Sequence, residues 1–168
     1  MSQTITLRGT PCAVAGTLPA PGDSLADFTL TTAKLADVSL ADYAGKRKIF
    51  NIFPSMDTPT CALSVKRFNA EVDALDNVVL FQISADLPFA HSRFCTAEGL
   101  DNGVALSMMR DKRFAEDYGV LMAEGPMAGI CARAVIVADE HDVVLHSELV
   151  PELAQEPKYE DALAALKV

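Results

Sequence analysis

The chain contains no tryptophan and only three tyrosines, so any aromatic core rests mainly on its eight phenylalanines. Positive charge is scarce too: 14 Lys and Arg stand against 23 Asp and Glu, a net charge of −9. Nucleic acids and anionic membranes are bound by clustered Lys and Arg, and that balance excludes them as principal partners. The one basic run, Lys46-Arg47-Lys48, is too short for such a patch and reads as the solvated start of a strand. No segment approaches the roughly 18 apolar residues of a membrane-spanning helix. The first residues, Met1-Ser2-Gln3-Thr4, form neither a basic nor an apolar signal region. A cytoplasmic location is therefore expected. The four cysteines (Cys12, Cys61, Cys95, Cys131) include no Cys-x-x-Cys pair and have no histidine at zinc-finger spacing. A structural zinc site is thereby disfavoured, as is a Cys-x-x-Cys thiol–disulfide oxidoreductase.

What is present fits one packed domain over residues 1–168, half of it hydrophobic. A chain of that size buries about two-thirds of its unfolded surface. Residues 4–15 alternate loosely around Arg8-Gly9-Thr10-Pro11 and predict an N-terminal hairpin. Short strands are expected at Phe28–Thr31 and Leu35–Leu40, and a stronger one at Lys48–Phe53. Apolar residues at Cys61, Val65, Phe68, Val72 and Leu75 follow a helical period. The run Val78–Ser84 reads as a central strand covered on both faces. Helices follow at Leu87–Glu98, closed by Gly99, and at Lys112–Tyr118, stopped by Gly119. Strands Ala132–Ala138 and Val143–Val150 flank a polar turn, and Pro157–Leu166 is an amphipathic helix. The order βαβα, then hairpin, then helix predicts an α/β fold: a mixed sheet, parallel in its middle, with helices on both faces.

Chemistry concentrates at Pro54-Ser55-Met56-Asp57-Thr58-Pro59-Thr60-Cys61. The segment puts a cysteine in the first turn of a helix, where unpaired N–H groups and the helix dipole favour negative charge. A free thiol is only a few per cent ionised at neutral pH, and the thiolate is the nucleophile. Taken alone, Cys61 could equally be a small buried hydrophobe, Thr58 a helix-cap hydroxyl and Arg133 an ordinary strand residue. Only their combination points to chemistry.

That combination resembles the peroxiredoxin active-site pattern, Pro54-x-x-x-Thr58-x-x-Cys61. Asn51-Ile52-Phe53-Pro54-Ser55, Ser84-Ala85-Asp86-Leu87-Pro88-Phe89, Ser92-Arg93-Phe94-Cys95 and Ala132-Arg133-Ala134-Val135 are similar to the thiol peroxidase branch, the atypical two-cysteine kind. The resemblance implies a thioredoxin-like fold and reduction of hydroperoxides. Cys61 would be the attacking thiolate, and Thr58, Pro54 and Arg133 would build its pocket. Cys95, on a different predicted helix, would resolve the Cys61 sulfenic acid as an intramolecular disulfide. Thioredoxin or a similar dithiol protein would then recycle it. A homodimer is also implied; no metal, haem or flavin is. The rival is a peroxide sensor that relays its disulfide to another protein.

A disulfide needs Cα atoms within about 7 Å, so one or both cysteine segments are expected to unwind during the cycle. Cys12 and Cys131 are expected to be packing or surface residues, although Cys131 lies close enough in sequence to Arg133 to suggest mixed disulfides. His91 falls one helical turn before Cys95 and is expected on the surface. Asp57 and Asp86 read as turn or cap residues. The segment Met122–Met127, with Leu121 and Ile130, would offer an apolar rim for alkyl hydroperoxides.

Overall fold

The structure is a computed structural model that describes residues 2–167. The chain opens with the expected hairpin, β1 (Ser2–Leu7) against β2 (Thr10–Ala15), in antiparallel register. Its two turn residues, Arg8 and Gly9, both have positive φ (50° and 83°), the geometry that matches the twist of paired strands. Next come β3 (Thr29–Thr32), β4 (Asp37–Ser39) and a single 3-10 turn at Leu40–Tyr43. β5 (Arg47–Ile52) leads through a loop into α1 (Pro59–Val72), and β6 (Val78–Ser84) leads into α2 (Pro88–Glu98). Prolines occupy the first position of both helices, where a missing N–H costs nothing.

Two strands went unpredicted. β7 (Val104–Ser107) pairs in parallel with β6 and extends the expected βαβα to βαβαβ. It is four residues long and carries no alternation of its own; its partners are set at long range. After α3 (Arg113–Asp117) comes β8 (Leu121–Met122), which adds two residues to the edge of the hairpin. β9 (Ala134–Ala138), β10 (Val144–Leu149) and α4 (Tyr159–Ala165) close the chain as expected. The main sheet has the order β10-β9-β5-β6-β7-β3-β4, with its parallel part, β5-β6-β7, in the middle.

Side-chain alternation divides the sheet into two faces. Phe50, Ile52, Phe81, Ile83 and Ile136 join Phe28, Phe114 and Tyr118 in the larger core. Ile49, Leu80, Val135 and Val137 pack with Phe68, Val72, Tyr159 and Leu166 on the face covered by α1 and α4. The same face carries polar residues along its centre. Asn51 donates to Gln82 Oε1 (2.7 Å) and to Ser64 Oγ of α1 (3.3 Å), and Gln82 donates to the Val65 carbonyl (3.1 Å). Lys48 departs from expectation: it is fully buried and paired with Asp142, so the basic run is solvated only before it.

His91 is likewise a correction. It is completely buried, and its Nε2 lies 2.8 Å from Ser84 Oγ, fastening α2 to the end of β6. Burial pushes its imidazole below the ordinary value, outweighing the opposing pull of Asp86, 3.9 Å away.

Two outcomes follow. Gly119 has φ +66°, and a Cβ there would lie 2.2 Å from the backbone carbon of Thr17. Gly119→Ala should cost at least about 2 kcal/mol, read as a lower urea midpoint. For His91, the unfolded chain binds the proton more tightly than the folded one. Unfolding free energy should therefore fall as pH drops from about 6.5 towards the lower folded value. In His91→Phe that part of the slope between pH 7 and 5.5 should vanish in urea titrations.

Candidate active site

Continuing the antiparallel register Ile52↔Ala134 by one residue sets Arg133 opposite Phe53, where β5 gives way to the loop before α1. Alternation then decides direction. Arg133 lies two residues before Val135, so its side chain falls on the α1 face rather than in the larger core. Arg133 is 2% exposed. Its Nε and Nη2 both donate to the Leu153 carbonyl, at 3.1 and 3.0 Å, and Nη2 lies 3.3 Å from Cys61 Sγ. The Leu153 carbonyl is held in turn, because the Leu153 N–H donates to Thr6 of β1 (2.8 Å). Glu152 accepts from Thr6 Oγ1 and from the Arg8 and Gly9 amides at the hairpin tip, and these bonds hold its carboxyl down to about 2.

Cys61 is the third residue of α1, and its side chain is fully buried. The first helical bond runs from the Ala62 N–H to the Thr58 carbonyl (3.0 Å). The Cys61 amide is thus one of those an α-helix leaves without an internal acceptor. Sulfur, guanidinium and the positive end of the helix therefore meet at one point. Ser64 Oγ donates to the Cys61 carbonyl (2.9 Å), which ties this first turn to Asn51 and the sheet.

Thr58 is the N-cap, with extended backbone, but its hydroxyl caps nothing. It donates to the Ser55 carbonyl at 3.0 Å, leaving its oxygen only as an acceptor. Pro54 is buried. Pro54, Thr58 and Arg133 line a cleft of about 210 Å³, together with Leu7, Met127 and Leu153. Of the anticipated apolar rim, Met127 is present, whereas Met122 is fully buried in the hairpin's own core. The opposite wall comes from Leu7 and the Leu153 segment. Their distance from Cys61 in sequence hid this wall.

Cys95 lies on α2, half-buried, in one apolar cluster with Cys61, Phe53, Met56, Val65 and Phe94. Burial raises its thiol above the ordinary value. All four cysteines are free thiols. Cys131 is fully buried, 3.6 Å from Met108 Sδ in the larger core, and pushed up to about 12. It faces away from Cys61, which removes the idea of mixed disulfides there. Cys12 is buried within the hairpin cluster.

Sequence reasoning missed a polar cluster beneath the Cys61 loop. Asp86 is not a helix cap. Its Oδ1 accepts from Ser55 Oγ (2.6 Å), and its Oδ2 accepts from the Met56 amide (2.8 Å) and from Ser84 Oγ (2.6 Å). The available signal was position: Ser84 and Asp86 stand at the carboxyl end of a central parallel strand, where open α/β sheets place ligands and functional groups. Asp57 is exposed and paired with Arg93 of α2 (2.9 Å).

Residues 20–163 match the redoxin family. The chain is 51% identical over 162 residues to a thiol peroxidase of Mycobacterium bovis, covering 96% of this chain and 97% of that one. A peroxiredoxin-like protein from Aquifex aeolicus superposes with a TM-score of 0.92 at 33% identity, covering 99% of this chain and 97% of that one. A thiol peroxidase from Chromobacterium violaceum does so with a TM-score of 0.91 at 26% identity, covering 98% and 95%. The chain belongs to the redoxin family, within its thiol peroxidase branch, and is a peroxiredoxin-type oxidoreductase with the thioredoxin-like fold.

Proposed function

We propose that the chain reduces hydrogen peroxide and organic hydroperoxides through Cys61, with Cys95 as the resolving thiol and thioredoxin or a similar dithiol protein as reductant. The observation that carries this reading is the 3.3 Å contact between Arg133 Nη2 and Cys61 Sγ. A buried guanidinium needs a compensating acceptor, and the Leu153 carbonyl supplies only a partial charge. An anionic sulfur completes the site, and a thiolate is what attacks a peroxide oxygen.

In the first step the Cys61 thiolate attacks one oxygen of R–O–O–H. The O–O bond breaks, Cys61 becomes a sulfenic acid, and R–O⁻ leaves as the alcohol or as water after taking a proton. Arg133 Nη1 is buried without an acceptor among the described residues and is a donor for the leaving or attacked oxygen. The Cys61 amide, left without an acceptor inside α1, is a second one. The Thr58 oxygen, its own proton engaged by Ser55, can accept the peroxide's O–H and so orient it. Pro54 brings no N–H and keeps its wall of the cleft apolar.

In the second step the Cys95 sulfur displaces the sulfenic oxygen as water, and a disulfide forms. Burial holds Cys95 in its thiol form while α2 is intact. Unwinding of one or both segments would bring the thiols together and relieve that burial at once. A dithiol protein then reduces the disulfide and restores both thiols. Exposed Leu63, Leu87 and Phe89 lie beside the two cysteine segments, apolar surface that suits a second subunit of a homodimer. The proposed setting is the cytoplasm, where reductases keep such thiols cycling.

Cys95→Ser should reduce about one equivalent of peroxide per subunit and then stop, whereas the wild type turns over continuously with thioredoxin, its reductase and NADPH. Sustained turnover by the variant would remove Cys95 from the cycle. Slow wild-type recycling with trapped mixed disulfides would favour a relay to a partner protein. Arg133→Lys keeps the charge but loses the fork that holds Leu153 and sulfur together. Its second-order rate with peroxide should fall roughly 10- to 100-fold, measured by single-turnover thiol loss.

A further inference from the structure

Two carboxylates join the Cys61 loop to α2: Asp57 at the surface through Arg93, and Asp86 from inside, bonding the loop directly and reaching α2 through Ser84 and His91. Asp86 follows β6 and is mostly buried, its side chain 11% exposed. It receives Ser55 Oγ and the Met56 amide from the Cys61 loop, and Ser84 Oγ from the strand end. Its backbone carbonyl accepts from Ser107 Oγ of β7 (2.5 Å). Ser84 Oγ also meets His91 Nε2 (2.8 Å) and accepts from the Asp86 amide (3.2 Å). His91 precedes Cys95 by one turn of α2, on the same face.

Counting protons fixes every direction in this cluster. The single hydroxyl proton of Ser84 goes to Asp86, so His91 Nε2 must carry hydrogen and donate to Ser84. Nδ1 is then the bare nitrogen, and it is buried without a partner among the described residues. Ser55 likewise spends its proton on Asp86 and accepts from the Asp57 amide (3.1 Å). Three donors, Ser55 Oγ, Ser84 Oγ and the Met56 amide, converge on one anion, and His91 stands behind Ser84, an arrangement in which hydrogen bonds reinforce one another.

We propose that Asp86 is a positioning residue, a latch that holds the Cys61 loop and the Cys95 helix closed together and so favours the peroxide step over disulfide closure. This rests on the reading that Cys61 and Cys95 form a disulfide. While the latch holds, Ser55 and Met56 are pinned ahead of α1, Cys61 stays beside Arg133, and His91 anchors the turn before Cys95. Disulfide closure requires at least one of these segments to let go. The strength of the latch therefore sets opposite changes in the two steps: loosening it disorders the thiolate pocket and frees the resolving thiol.

Asp86→Asn tests this directly. The side-chain NH₂ replaces an acceptor oxygen with a donor, and it must face at least one of the three donors. The second-order rate of Cys61 oxidation should fall roughly tenfold while the first-order rate of disulfide formation rises by about threefold or more. Both rates come from rapid acid quench of the full-length protein after one equivalent of hydrogen peroxide. Alkylation and mass mapping then count thiol, sulfenic acid and disulfide. His91→Phe, which severs only the α2 side, should speed closure and leave the peroxide step within about twofold. Tyr118→Phe, which loses a hydrogen bond to Ala26 on the other face of the sheet, destabilises without touching the latch and should alter neither rate. Equal slowing of both steps in Asp86→Asn, or no change in either variant, overturns the latch. If Asp86→Asn does not fold, His91→Phe decides alone. Absence of a Cys61–Cys95 disulfide in the wild type would instead bring down the resolving assignment, and the latch with it.

Discussion

The site depends on burying a guanidinium beside a sulfur. Arg133 is among the largest fully buried side chains in the protein, and a charge of that kind is costly to remove from water unless its surroundings answer it. The answer comes from two directions. Leu153 brings a carbonyl that receives two N–H groups, and α1 brings a sulfur at the positive end of its axis. The remaining features of the site keep these groups in register. Glu152 staples the hairpin tip to the Leu153 segment, Ser64 and Asn51 hold the first turn of α1, and β9 delivers Arg133 at the level where β5 ends.

The fold explains why distant pieces of sequence converge there. Strands β9 and β5 are antiparallel neighbours, so the residue entering β9 meets the residue leaving β5. Because side chains alternate, odd-numbered positions of both strands face α1 at this end of the sheet. Arg133, Val135 and Val137 share that face with Ile49, Asn51 and Phe53. A one-residue slip of β9 would turn Arg133 into the larger core and bring Ala134 to the sulfur. The uninterrupted apolar run from Ala134 to Ala138 is covered on both faces and cannot fix that register by itself. The buried guanidinium can, because in the slipped register it would find only Phe50, Ile52 and their neighbours.

Much of this was legible in the chain. The motif at Pro54, Thr58 and Cys61, the central strands and the main helices follow from local pattern, as does the hairpin turn at Arg8-Gly9. What was not legible has a common physical cause. β7 and β8 are too short to carry a period and exist because a longer strand offers them a partner. Lys48, His91 and Asp86 look like surface residues because Lys, His and Asp usually are. Lys48 and Asp86 are buried by partners 94 and 31 residues away, pairs that no local window contains. His91 pairs with Ser84 across the strand-to-helix turn, where neither the strand nor the helix period relates the two. The Leu153 carbonyl is invisible for a further reason: its function belongs to the backbone, and any residue type could supply it.

The two polar clusters at the site differ in kind, and that difference bears on how the protein can move. Around Arg133 the bonds converge on the cation and join elements that a thiolate-based reaction needs fixed: α1, the hairpin and the strand entry. Around Asp86 the bonds converge on an anion and hold the two segments that the proposed disulfide closure would have to loosen, the Cys61 loop directly and α2 through Ser84. The latter cluster is a partly exposed carboxylate held by two hydroxyls and the Met56 amide, with the His91 imidazole behind Ser84, groups that regain hydrogen bonds readily in water. Releasing the buried guanidinium would instead strand its charge or break its hold on Leu153. Opening on the Asp86 side is therefore the lower-cost motion. For the proposed cycle, rigid in one step and loose in the next, separate networks around Arg133 and Asp86 would let one hold while the other yields.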